Sequence, residues 1–281
     1  MMLPFEENTN KKISTILSNP FRVYLLYGEQ YIGKYLASRY IASMLLDDKK
    51  IIKDDYLHPA LHVVSNQADN KVIGISDIKH LTESIWHTTH SDIKQKVIII
   101  SKIDNITESA ANALLKNLED MPSETTIILN ADNLEAVLPT IISRSQLIYC
   151  LPSKQRAMDY LVEYYRVDPT KTEDYMSIAN DRLRKAINNL DEQSYEQSKF
   201  IQSLAVQFLD GSITTRFIIA KQIHEKSFAQ TFLSELIYAT NKQSTILYDR
   251  LDFVEHVMQA ISQLRSNVNS RIVIENLALR Q

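Results

Sequence analysis

Arg22-Val23-Tyr24-Leu25-Leu26-Tyr27 runs directly into Gly28-Glu29-Gln30-Tyr31-Ile32-Gly33-Lys34-Tyr35. The first six residues are β-branched or apolar enough for a buried strand, and helical periodicity follows the second stretch to about Leu46. Between strand and helix, Gly28 to Lys34 has the spacing G-x-x-x-x-G-K. In such a loop the glycines let backbone N–H groups cup phosphates and the lysine reaches the terminal ones. The whole 281-residue chain has four glycines, and two of them fall here. Glycine is otherwise spared, as expected of a helix-rich chain that keeps it for special turns.

The eighth position departs from the pattern. An active loop places Ser or Thr there because a short hydroxyl must reach Mg²⁺, and the hydroxyl of Tyr35 sits at the end of a long ring. An ATPase also needs carboxylates after a later apolar strand, one for the metal and one to orient water. Here the run Val97-Ile98-Ile99-Ile100 ends in Ser101-Lys102, and Asp104 comes two residues too late. Losing the magnesium hydroxyl and both acids together should remove essentially all metal-assisted hydrolysis. The residues still suit a loop that holds phosphate without cleaving it.

After this loop, strands and helices alternate. Leu61-His62-Val63-Val64 reads as a strand and Ser76 to about His90 as a helix with Ile78, Leu81 and Ile85 on one face. Lys96 to Ser101 is a buried strand. Thr107 then caps a helix carrying Ala111, Leu114, Leu115 and Leu118 until Met121-Pro122 stops it. Thr125 to Leu129 is a strand, Leu134 to Leu138 a short helix before Pro139, and Gln146 to Cys150 a last strand. Such alternation predicts a parallel sheet with helices on both faces. Beyond Leu151-Pro152 only helical periodicity is found, including Ala157, Leu161 and Tyr164, then Ile201, Leu204, Ala205 and Phe208. Three parts follow: an α/β domain over 1–151, a small helical domain over 152–193 and a helical C-terminal domain over 194–281.

Composition bounds the function classes. With 44% apolar and 23% charged residues the chain has the material of a globular protein. Its net charge of −3 gives no global field for a phosphate backbone, so any nucleic-acid contact is a local patch. The aliphatic runs are too short to cross a bilayer, and Met1 to Glu7 has no secretory pattern, so the cytoplasm is expected. The single cysteine, Cys150, allows no intrachain disulfide and reads as a small buried residue. His87 and His90 have i, i+3 spacing without a further ligand, so no metal site is expected. Glu119 and Asp120, paired at a helix end, read as solvated or interfacial acids.

His58-Pro59, the block Thr107-Glu108-Ser109-Ala110-Ala111-Asn112-Ala113-Leu114-Leu115-Lys116-Asn117-Leu118-Glu119-Asp120-Met121-Pro122, and Leu138-Pro139-Thr140-Ile141-Ile142-Ser143-Arg144-Ser145 resemble the bacterial DNA polymerase III clamp-loader family. The similarity covers almost the whole chain, and Asn267 to Leu279 resembles that family's collar. The resemblance implies an AAA+ phosphate-loop domain, a helical lid and an all-α collar. Motor subunits of the family keep a full ATP site, whereas its stator type has a degenerate one, as Gly28, Gly33 and Lys34 beside Tyr35, Ser101 and Lys102 imply here. It implies an arginine finger at Arg144, acting on ATP held by a neighbouring motor subunit, within a Ser-Arg-Cys motif that here reads Ser143-Arg144-Ser145. Arg184 resembles a lid arginine directed at the subunit's own nucleotide, here a relic or a helix-surface charge. No cofactor of its own is required, and the four-cysteine zinc module of many relatives is absent from Asp47 to Leu57. The implied partners are gamma/tau motor and delta subunits in a hetero-pentameric ring, the polymerase III holoenzyme and primer–template DNA, with no membrane. The rival readings are a divergent motor-type ATPase and the clamp-opening delta subunit.

Overall fold

The computed structural model describes residues 3–18, 20–53, 56–64, 72–87, 95–223, 225–243, 247–266 and 268–280. The chain divides into two compact units, 1–173 with 182–184, and 174–181 with 185–281.

In the first unit, helix α1 (Glu7–Ser14) precedes strand β1 (Val23–Tyr27), α2 (Lys34–Leu45) and β2 (Leu61–Val64). Then come α3 (Ile75–His87), β3 (Lys96–Ile100), α4 (Glu108–Asp120), β4 (Thr125–Ala131), α5 (Pro139–Ile142), β5 (Gln146–Tyr149) and α6 (Lys154–Tyr165). The five strands form one parallel sheet in the order β2-β3-β4-β1-β5.

The near-continuous apolar strands follow from burial on both faces. Val23 and Leu25 join Ile98, Ile100, Ile127 and Leu129 beneath Ile78 of α3 and Leu114 of α4. Tyr24 and Leu26, the alternate residues, join Val97, Ile99, Ile128 and Ile148 against Ile13 of α1 and Ile41 of α2. The expected α/β layering is therefore present.

Thr107 caps α4 as expected, its hydroxyl accepting from the Ala110 N–H at 3.2 Å. Pro139 differs from expectation. Leu134–Ala136 is a short 3₁₀ turn, and Pro139 opens α5 instead of ending a helix, because the first helical position needs no N–H and suits proline's fixed φ. Ala157, Leu161 and Tyr164 all lie on α6 as expected; the first two are buried, and Tyr164 lies at the surface, stacked on Tyr160 with ring centroids 4.5 Å apart. One turn of helix carries it past the buried stripe.

Two short helices, α7 (Pro169–Ile178) and α8 (Leu183–Asn188), are divided between the units. The second unit continues with α9 (Glu192–Asp210), α10 (Ile213–Gln222), α11 (Lys226–Gln243), α12 (Leu247–Arg265) and α13 (Ser270–Ala278). Its core joins Phe208 of α9, Phe232 and Leu236 of α11, Val257 of α12 and Ile274 of α13. Phe208 and Phe232 meet edge-on at 5.5 Å. Among the described residues this half is helical throughout, in accord with its periodicity.

Candidate functional site

Sheet order places the phosphate loop. Because β1 lies between β4 and β5, its carboxyl end, where Tyr27 pairs with Ala131 and Tyr149, delivers Gly28 beside the ends of both neighbours. Ligands of parallel α/β sheets collect at such carboxyl ends. Gly28 has φ +150°, and a Cβ there would stand 2.8 Å from the Cys150 carbonyl oxygen. Gly33 has φ +104° and faces Pro4 and Leu183, which a Cβ would meet at 3.2 and 3.5 Å. Both glycines are thus required by backbone geometry.

Lys34 begins α2 and is buried, at 6% exposure. Its ammonium donates to the Gly28 carbonyl at 2.8 Å, to the Glu29 carbonyl, and to the Asp132 carboxylate at 2.8 Å. A lysine ammonium has three N–H donors, and all three are engaged. Asp132 is itself positioned: the Asp104 carboxylate accepts from the backbone N–H groups of Asp132 and Asn133 at 3.2 and 3.0 Å. Asp104, too late in sequence to replace a metal-binding acid, thus holds the turn that carries the lysine's counter-ion.

The surroundings do not fit a magnesium nucleotide. The Tyr35 hydroxyl accepts from Arg39 Nη1 at 3.2 Å, with the guanidinium 5.9 Å from the Tyr35 ring centre. Arg39 is 2% exposed and donates to the carbonyls of Ile51, Lys53 and Tyr56, binding the segment after α2 to the helix. The Ser101 hydroxyl is buried with no partner among the described residues. Lys102 adopts φ +59° at the head of a 3₁₀ turn, Ile103–Asn105. Nearby, burial pushes the Cys150 thiol up to about 12 against the opposing pull of Lys34, which leaves a protonated, inert cysteine. No group of three or more His, Cys, Asp or Glu among the described residues could hold a metal ion, and His90 lies outside them.

Arg184 comes to the loop through its backbone, the N–H donating to the Tyr31 carbonyl at 2.9 Å. Arg144 stands elsewhere, in the turn after α5. Its backbone N–H donates to the Ile141 carbonyl at 3.2 Å, and the Ser145 hydroxyl donates to the same carbonyl at 2.8 Å. The Arg144 side chain is 40% exposed and pairs with Glu119 at 2.6 Å, with a second bond to the Thr140 carbonyl at 3.2 Å. Gly28, Gly33 and Lys34 therefore form one loop, and Arg144 belongs to a separate, exposed feature. Sequence reasoning did not single out Asp132, and it left Glu119 without a partner. The only sequence signal for Asp132 is its place directly after an apolar strand that ends in Asn130-Ala131.

Comparison with known proteins agrees with this architecture. Residues 7–154, just over half of the chain, match the family model described as DNA polymerase III, delta subunit. The DNA polymerase III subunit delta' of Haemophilus influenzae is 29% identical over 143 residues, which cover 50% of this chain and 43% of that protein. The delta' subunit of Bacillus subtilis is 37% identical over 107 residues, covering 38% of this chain and 32% of the relative. The matched stretch thus spans less than half the length of these relatives. A solved DNA polymerase III gamma subunit-related protein of Thermotoga maritima superposes with a TM-score of 0.61 at 17% identity, covering 97% of each chain, which shows a shared fold. With the phosphate loop, the five-stranded parallel sheet and the helical second half in place, the chain belongs to the DNA polymerase III, delta subunit family and is similar to its delta' members.

Proposed function

We propose that this chain is a non-hydrolysing stator of a replicative clamp loader, one that helps place the sliding clamp on primed DNA and supplies Arg144 to nucleotide bound by a neighbouring motor subunit. The observation that carries the reading is the contrast between two cations. Lys34 is buried with every donor engaged inside its own chain, whereas Arg144 is exposed and uses two of its five N–H donors. A planar guanidinium with donors to spare suits γ-phosphate oxygens as charge develops on them.

On this reading the chain's own loop is a structural remnant, no cofactor of its own is required, and the catalysed step belongs to the adjoining subunit. Partners are gamma/tau motor and delta subunits, the polymerase III holoenzyme and primer–template DNA, in the bacterial cytoplasm. In keeping with this, no helix among the described residues is long and apolar enough to cross a membrane.

The test is ATP turnover by a loader assembled with Arg144→Ala. Clamp- and DNA-stimulated hydrolysis at the site that Arg144 adjoins, read with the other motor sites inactivated, should fall by ~10³ or more, the contribution of an arginine finger at a single site. Unchanged turnover would refute the finger role. Magnesium-dependent hydrolysis by the isolated chain, abolished by Lys34→Ala, would instead favour a motor-type ATPase.

A further inference from the structure

The last turn of α4 holds Glu119 and Asp120 and no basic residue. This inverts the usual preference, since a helix C-terminus carries partial negative charge and favours cations. A local rule broken without a compensating gain in stability points to a functional demand. The partner of Glu119 comes from another element: Arg144 Nη2 lies 2.6 Å from Glu119 Oε1, and Nη1 donates to the Thr140 carbonyl at 3.2 Å. Both partners of the pair are exposed, at 40% and 54%, and exposed ion pairs contribute little to stability.

What the arrangement does supply is orientation. An arginine side chain has many rotamers, and a guanidinium held at two of its N–H groups by fixed acceptors has far fewer. Two donors are used and three are left, so the group need not leave Glu119 to meet an anion. The backbone beneath it is fixed as well, through the bonds of Arg144 and Ser145 to the Ile141 carbonyl.

We propose that Glu119 is a positioning residue for Arg144, holding the guanidinium toward the neighbouring subunit's nucleotide before that nucleotide arrives. The proposal rests on the reading of Arg144 as a finger acting in trans. Asp120 is the internal control: it shares the helix end and the charge but makes no ion pair among the described residues.

Five variants of the full chain, three single changes at Glu119 and Asp120, Arg144→Ala, and Glu119→Ala combined with Arg144→Ala, test it by kcat and KM for ATP in a loader whose other motor sites are inactivated. Glu119→Ala should lower kcat about three- to tenfold with KM within about twofold, as expected for misplacement of a group acting in the transition state. Glu119→Gln, whose amide oxygen can still accept from Nη2, should recover most of the loss, and Asp120→Asn should leave both constants unchanged. Glu119→Ala should have no further effect in an Arg144→Ala background, because residues acting as one unit are not additive. If Arg144→Ala lowers kcat but Glu119→Ala does not, or if the two losses multiply, the positioning role is wrong. An effect of Asp120→Asn equal to that of Glu119→Ala, or a Glu119→Gln as slow as Glu119→Ala, would mean that general charge acts and not orientation. If Arg144→Ala itself is without effect, the finger reading fails and not merely this refinement of it.

Discussion

The Lys34 ammonium and the Asp132 carboxylate stand 2.8 Å apart, joining the phosphate loop after β1 to the turn after β4. The interaction occupies the donor that an anion would need. Breaking a buried pair costs about 3–5 kcal/mol, and Asp132 is 28% exposed, so Asp132→Ala should destabilise the chain by about 2 kcal/mol. Urea unfolding of the two proteins measures this, and neither should hydrolyse ATP.

Arg39 donates to three carbonyls of the segment after α2, and of these the Lys53 carbonyl also accepts from the Tyr56 N–H at 3.2 Å. Arg39→Met keeps much of the aliphatic stem but takes the donor from the Ile51 and Tyr56 carbonyls, at about 1–3 kcal/mol for each one left buried. Trypsin should then cut after Lys49, Lys50 or Lys53 well before it attacks the native chain, which a time course resolved by mass spectrometry would reveal.

Cys150 is fully buried, and its thiol is pushed up to about 12. The unfolded thiol ionises near 9, so between those values the unfolded state has released a proton that the folded state retains. Stability from this source is complete below pH 9 and declines as pH rises from about 9 to about 12, with a slope approaching ~1.4 kcal/mol per pH unit. Alkaline unfolding of the native chain should therefore be steeper than that of Cys150→Ala, and iodoacetamide at pH 8 should label Cys150 only after denaturation.

Glu235 of α11 is 5% exposed, accepting from Lys185 at 2.7 Å and from Asn180 at 2.6 Å. Within the second unit it is a buried carboxylate with two dedicated donors. Glu235→Ala leaves Lys185 and Asn180 without that acceptor and should cost about 3 kcal/mol. Thermal unfolding followed by circular dichroism would register it, whereas a loss below 1 kcal/mol would mean that the network is solvated in solution.

Some of this architecture was legible from local patterns. The β1–loop–α2 unit could be read because a strand, a helix and a glycine-defined turn are each specified by adjacent residues, and the Thr107 cap because its acceptor and donor lie three positions apart. Pro139 is ambiguous in sequence because proline both stops helices and starts them, and only the path of the chain selects between the two. Tyr164 shows the same limit, since periodicity placed it on a helix but gives no edge to the buried stripe.

Local patterns specify the phosphate-type loop after a buried strand, the missing metal hydroxyl and acids of an ATPase, and the helical second half. These are properties of residue type and spacing. Tertiary structure alone decided where the charges went. The sheet order places β4 next to β1 and so brings Asp132 to Lys34, and the packing of α4 near the turn after α5 brings Glu119 to Arg144. Each ion pair joins residues whose separation along the chain carries no periodic signal, so its partner becomes identifiable only when the fold brings the two side chains within hydrogen-bond reach.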